Sequence, residues 1–167
     1  MSSAAPVIEE ANGGELLWFG GGLLTLKVTS EQSGGAFFLL EDVAPRGKTT
    51  PLHLHPDDDE TFYVLEGELL VHIDGTERTV GPGAVAFVPR GKPHAFLVTS
   101  DEARWLGFVT PGTNIERFMR DAGDAVTDPT SPIPPLDIAR IKAAGERTGA
   151  MVALGPPPFE LAAKHPA

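Results

Sequence analysis

Cysteine is absent from the 167 residues. That excludes disulfide scaffolds, thiolate zinc sites, iron–sulfur clusters and cysteine nucleophiles together. Any metal must therefore sit on His, Asp, Glu, backbone carbonyl or water. Positive charge is scarce: 13 Lys and Arg stand against 23 Asp and Glu, a formal net charge of −10. Such a chain repels phosphate backbones and anionic lipid, so neither nucleic acid nor membrane is expected as a partner. No long hydrophobic run occurs. The longest, Leu16 to Leu26, is broken by Gly20-Gly21-Gly22 and falls short of the ~18 residues of a membrane span. The first fifteen residues lack a basic region followed by an apolar run, so no secretory leader is expected and a cytoplasmic location is inferred.

What is abundant is turn chemistry, with 19 Gly and 16 Pro beside a hydrophobic content of 41%. This argues against a helical bundle and for a mainly β protein of many short strands around a real core. Residues 1–14 are small and polar and predict a frayed tail. From Glu15 onward, short apolar runs alternate with turns. Strands are predicted at Leu16–Phe19, Leu23–Val28, Ala36–Val43, Glu60–Leu65, Leu69–Ile73, Thr76–Val80, Ala84–Val88, Ala95–Thr99 and Arg104–Thr110. Glu66-Gly67 and Asp74-Gly75 read as hairpin turns, the second of type I′. After Pro111 the character changes. Thr113-x-x-Glu116 reads as a capping box opening a helix to Ala122, and Leu136 to about Glu146 carries a helical stripe that Gly145 or Gly149 would end. Ala150–Leu154 predicts one more short strand. The division expected is a tail (1–14), a β-barrel core (15–111) and a helical C-terminal extension (112–167) packed on it.

There are only five histidines. His53 and His55 form H-x-H in an extended run, so both imidazoles point to one side and Leu52 and Leu54 to the other. The turn Pro56–Asp59 follows, and Glu60 restarts the chain as the expected antiparallel partner strand. His94 follows the tight loop Pro89–Pro93. Three neutral imidazoles and a carboxylate suit one divalent first-row metal. By itself H-x-H is more often a pair of ordinary strand histidines; the surrounding glycines and prolines distinguish this one. Asp57, Asp58 and Asp59 lack calcium-loop spacing and are expected at the rim. His72 has no second ligand near it and reads as a surface histidine, and His165 is assigned nothing. No phosphate loop, dinucleotide fingerprint or G-x-S-x-G motif is present.

Two motifs now carry a family resemblance. Gly47-x5-His53-x-His55-x4-Glu60-x6-Gly67 resembles the first cupin motif, and Gly83-x5-Pro89-x-Gly91-x2-His94 resembles the second. The second departs from the family pattern at Val98, where Asn is usual. Thr61–Gly67, Gly112–Phe118 and the end Leu154–Pro158 are similar to single-domain cupins grouped with quercetin 2,3-dioxygenases. The resemblance implies a single cupin-type barrel (a double-stranded β-helix or jelly roll) with short C-terminal helices. It implies a metal (Fe, Mn, Ni, Co, Cu or Zn) held by His53, His55, Glu60 and His94, with Glu60 also the catalytic base. The implied reaction is a dioxygenase step on a flavonol or related enolisable substrate with O2, beside an apolar pocket wall of Phe62, Phe96 and Val98. A cupin isomerase, a small-acid oxygenase and a non-catalytic binding cupin remain open beside it. A homodimer is expected, with Leu16–Val28 or the C-terminal helices at its interface.

Overall fold

The computed structural model describes residues 4, 6–11 and 13–160. His165 and residues 1–3, 5 and 12 of the expected tail lie outside them. Just before the first strand, the Lys27 ammonium donates to the carbonyls of Ala11 and Gly13.

Two antiparallel sheets face each other. The larger has the order β11-β1-β2-β3-β10-β5-β8, from Asp124–Ala125, Glu15–Phe19, Gly22–Val28, Phe38–Pro45, Glu102–Thr110, Asp59–Glu66 and Val85–Val88. The smaller runs β12-β4-β9-β6-β7, from Val152–Gly155, Leu52–Leu54, His94–Val98, Leu69–Ile73 and Thr76–Val80. This is the mainly β cupin-type barrel that the sequence predicts. Period-two alternation places the core: in β3, Phe38, Leu40, Asp42 and Ala44 turn inward, and in β10, Ala103, Trp105 and Val109 do.

The inner face of the larger sheet has two partners. Over one half, the smaller sheet closes the barrel on Phe62, Val64, Leu69, Val71, Val88, Phe96, Val98 and Trp105. Over the other half, α1 (Thr113–Ala122) and α2 (Ile138–Thr148) cover Leu17, Leu24, Leu26, Phe38 and Leu40 with Ile115, Phe118 and Ala144. Each fully buried side chain of this size stabilises the fold by about 1.5–3 kcal/mol. The inward side chains of Leu16–Val28 are thus covered from within the chain, and β11 pairs with β1.

Three local expectations are corrected. Glu66-Gly67 is not a hairpin: β5 pairs with β10 and β8, whereas β6 pairs with β7 and β9. Gly67, at φ 72°, carries the chain from one sheet to the other, passing so close to the Glu102 carbonyl and Ser100 hydroxyl that a Cβ would collide. By contrast Asp74 and Gly75 both take positive φ, as a type I′ hairpin requires. Thr113 does not cap α1. Gly112 is the N-cap, and the buried Glu116 carboxylate accepts instead from the Ser30 amide at 2.7 Å and from Arg120 at 2.9 Å. Finally, α2 starts at Ile138 rather than Leu136, because the Asp137 side chain caps the Arg140 amide.

Candidate metal centre

His53 is the middle residue of β4 and His55 follows the strand's end. β4 pairs with β9 in a register that sets His53 directly opposite His94. Glu60 comes from the other wall. Strand β5 belongs to the larger sheet, so Glu60 is not the neighbour of the H-x-H strand that the sequence suggested. The turn after His55 crosses the barrel, and the carboxylate reaches the imidazoles from across the interior. The His94 loop is tied alongside by the Gly91 amide, which donates to the His55 carbonyl at 2.8 Å.

The four side chains converge, with one candidate ligand atom from each lying within 4.8 Å of all the others. Glu60 Oε2 lies 3.0 Å from His94 Nε2 and 3.4 Å from His55 Nε2. The three imidazoles are buried, and only 13% of the Glu60 side chain is exposed. Each imidazole makes the same kind of outward contact. His53 Nδ1 lies 2.8 Å from the Pro51 carbonyl, His94 Nδ1 2.9 Å from that of Lys92, and His55 Nδ1 2.7 Å from that of Ala150. A carbonyl can only accept, so each Nδ1 carries a proton and each Nε2 is turned to the interior, where its lone pair serves as a ligand once any proton shared with Glu60 has left. Three such nitrogens and a carboxylate fit a divalent first-row metal, with ring orientation set from behind as in known histidine sites. The cluster can hold a metal ion.

The electrostatics follow from crowding. Burial, and then the neighbouring His94 and His55, push the His53 imidazole down to about 3, so it stays neutral at physiological pH. His55 moves the other way: burial opposes its charged form, but the hydrogen bond and charge of Glu60 outweigh that and raise it. For Glu60, burial favours the protonated form, yet the hydrogen bonds from His55 and His94 dominate and hold it far below the carboxylate range.

Phe62, Phe96 and Val98 are buried on the barrel interior, with Phe62 and Phe96 edge-to-face at 5.8 Å and Phe96 against Trp105 at 5.3 Å. The acidic turn divides. Asp57 is exposed and Asp59 pairs with Arg90 at 2.8 Å, but Asp58 is buried rather than at the rim. Its Oδ1 accepts from the Gly112 amide at 2.7 Å, fastening the turn beneath His55 to the start of α1. His72 lies 3.3 Å from Glu77 and edge-to-face with Phe159, ring centroids 6.5 Å apart. The sequence reading missed two participants. Asp58 could have been singled out as a carboxylate inside a turn; the Ala150 carbonyl is a backbone atom and leaves no side-chain signal.

This fold with this cluster has the form of a cupin-type barrel with a candidate metal centre. Residues 39–109 match the family model described as a cupin domain. A stretch of 121 residues, 72% of this chain, is 31% identical to quercetin 2,3-dioxygenase of Bacillus subtilis and covers 36% of that protein. The chain spans less than half the length of the curated relatives it matches. Among solved structures, an RmlC-like cupin from Shewanella frigidimarina superposes with a TM-score of 0.56 at 18% identity, covering 66% of this chain and 95% of that one. A predicted oxalate decarboxylase of Thermotoga maritima gives 0.51 at 22% identity, covering 53% of this chain and 79% of that one. Among the described residues, no helix is long and apolar enough to cross a membrane.

Proposed function

We propose that the protein is a metal-dependent dioxygenase that cleaves a flavonol or related enolisable aromatic substrate with O2. His53, His55, His94 and Glu60 would hold the metal. The observation that carries the reading is the converged cluster itself, with three outward Nδ1–H bonds that leave three Nε2 atoms turned toward one carboxylate. The sequence relationship to a quercetin 2,3-dioxygenase supports the choice of reaction. When bound, the metal would supply a Lewis-acidic, redox-capable centre for the substrate oxygen and for O2.

The chain's own residues have distinct tasks. Glu60 takes the substrate hydroxyl proton at Oε2. Its basicity is lowered by its hydrogen bonds with His55 and His94, contacts that metal ligation by those two nitrogens would replace. Phe62, Phe96 and Val98 form an apolar wall that excludes water and suits a flat ring. The test is oxygen uptake by metal-loaded protein with a flavonol such as quercetin. Uptake matched by loss of flavonol absorbance is expected; no uptake with any flavonol defeats the assignment.

A second reading has its own support. Phe62, Phe96 and Val98 are 3%, 7% and 1% exposed, packed on one another and on Trp105. An interior so filled offers little free wall to a flavonol, and a smaller acid or sugar-like substrate would need less. Substrate depletion with a panel of small hydroxy and keto acids separates the two readings.

A further inference from the structure

We propose that the segment from α2 to β12 is a positioning element of the metal centre, acting through the Ala150 carbonyl on His55, so that docking of this segment and metal binding are coupled. The proposal rests on reading the four-residue cluster as a metal site. It concerns residues outside the stretch 39–109 matched by the cupin model.

The three imidazoles are not held alike. His53 and His94 take the carbonyl two residues earlier in their own strand or loop, so the barrel alone orients them. His55 takes its carbonyl from Ala150, 95 positions further along the chain. Two further features fix that carbonyl. Ala150 is 1% exposed and lies in the core cluster with Ile115, Phe118 and Ala144, so it cannot shift without unpacking the helices. It also follows Gly149, the left-handed C-cap of α2 at φ 67°, whose amide donates to the Gly145 carbonyl at 3.0 Å. The helix is itself anchored. Arg140 binds the Asp121 carbonyl at 2.8 Å and Asp124 at 2.6 Å, and Arg147 binds Asp121 at 2.8 Å.

Past Ala150 the chain stays with the site. β12 lies along β4 with Ala153 opposite His53 and Val152 opposite Leu54. The H-x-H strand is therefore sandwiched between β9, which carries His94, and β12. Removing the Ala150 acceptor would leave the His55 Nδ1–H buried without a partner and free the ring to rotate its Nε2 off the centre. By linkage the converse holds: a metal that fixes His55 must stabilise the docked segment by the same free energy.

Two measurements test this with Co2+ as the probe. In amide hydrogen exchange of the full chain, Co2+ should slow residues 149–155 together with 52–55; slowing confined to 52–55 and the His94 strand overturns the coupling. In a Co2+ titration, Gly149→Val should weaken binding by about 10–100-fold, the usual effect of losing an outer contact to a ligand. No atom lies within 4 Å of a Cβ placed at Gly149, so the substitution acts through the positive φ alone. Gly149→Asn, which tolerates that conformation, should bind within a few-fold of wild type. A Gly149→Val protein whose metal-free melting temperature falls while its Co2+ affinity is unchanged shows a helix cap and nothing more, and overturns the proposal. Should wild type itself bind no Co2+, the metal-site reading falls, and this proposal with it. Co2+ bound by wild type with neither the exchange coupling nor the variant effect removes this proposal alone.

Discussion

His53 and His94 face each other as a register pair across β4 and β9, their ring centroids 4.2 Å apart. Two buried imidazoles this close cannot both carry charge at modest cost, and His55 stands 4.9 Å from one and 5.1 Å from the other. A strand pairing has thus placed three mutually repelling cations-in-waiting in one chamber, with one carboxylate to answer them.

The acid sensitivity of the metal-free protein should report this arrangement. His53 titrates at 6.5 as a free side chain and is pushed down to about 3 in the fold. Between these values the unfolded chain binds the extra proton, so stability is fully present above 6.5 and drains away as pH falls towards 3. Each pH unit in that window costs up to ~1.36 kcal/mol. Urea unfolding of metal-free protein at pH 7.5 and 4.5 should show wild type losing more than His53→Gln, by on the order of 2 kcal/mol. Equal losses would mean that His53 is not the group resisting protonation.

Separate roles for the ligands should appear as a split between metal content and turnover. Glu60→Gln keeps size and an oxygen donor but cannot accept a proton. It should retain metal and lose turnover of a competent substrate by ~10²–10⁴-fold. His94→Ala removes a ligand nitrogen and should lower metal content first, as read by elemental analysis of protein purified without chelators. A Gln variant that turns over at the wild-type rate would take the base role away from Glu60.

Much of this was legible in the chain, for identifiable reasons. H-x-H reads as two side chains on one face because strand period is local. Asp74-Gly75 reads as a hairpin because type I′ geometry needs those residue types. Both motifs could be placed because their glycines and prolines punctuate strands at fixed distances. What escaped was non-local. Nothing in Leu65-Glu66-Gly67 says that β5 and β6 join different sheets; the collision a side chain would make with the Glu102 carbonyl is invisible without the fold. The Thr113–Glu116 spacing fits a capping box, but the Ser30 amide, 86 positions upstream, takes the Glu116 carboxylate. The partner of His55 is a backbone atom at an alanine.

A buried ion pair inside the larger sheet yields a stability prediction. Lys48 and Asp42 are 8% and 5% exposed, and the ammonium also lies 5.5 Å from the Trp105 ring centre. Among the described residues Asp42 Oδ1 has no hydrogen-bond partner, and burial raises the Asp42 pKa despite the pull of Lys48. Lys48→Met would strand a buried carboxylate and should cost about 3–5 kcal/mol by denaturant unfolding at pH 8. The penalty should shrink as pH falls and Asp42 takes up a proton, and adding Asp42→Leu should restore most of the loss. A Lys48→Met protein as stable as wild type would show that the pair carries no net stability.

The outer face of the larger sheet bears on assembly. Val85 and Phe87 on β8 are 57% and 56% exposed, Tyr63 on β5 is 42% exposed and Phe108 on β10 is 40% exposed. Tyr63 is the cross-strand partner of Val85, and Thr61 links Phe87 to Phe108, so all four side chains share one face. Phe37 extends it, its ring 5.0 Å from that of Phe108. This face ends at β8, the edge strand of the sheet among the described residues. The N-terminal strands and C-terminal helices bury their facing sides against one another through Leu17, Leu24, Ile115 and Phe118. A homodimer should therefore form through β8, β5 and β10, and light scattering at micromolar concentration should give twice the 17.7 kDa of one chain. Each copy carries a net charge of −10, so raising the salt should tighten the association by screening that repulsion. Phe87→Glu should yield a folded monomer whose melting temperature, unlike that of the wild-type dimer, does not rise with protein concentration, since the side chain is exposed in the single chain. A wild-type mass of one copy, or a dimer untouched by Phe87→Glu, would rule this face out as the interface.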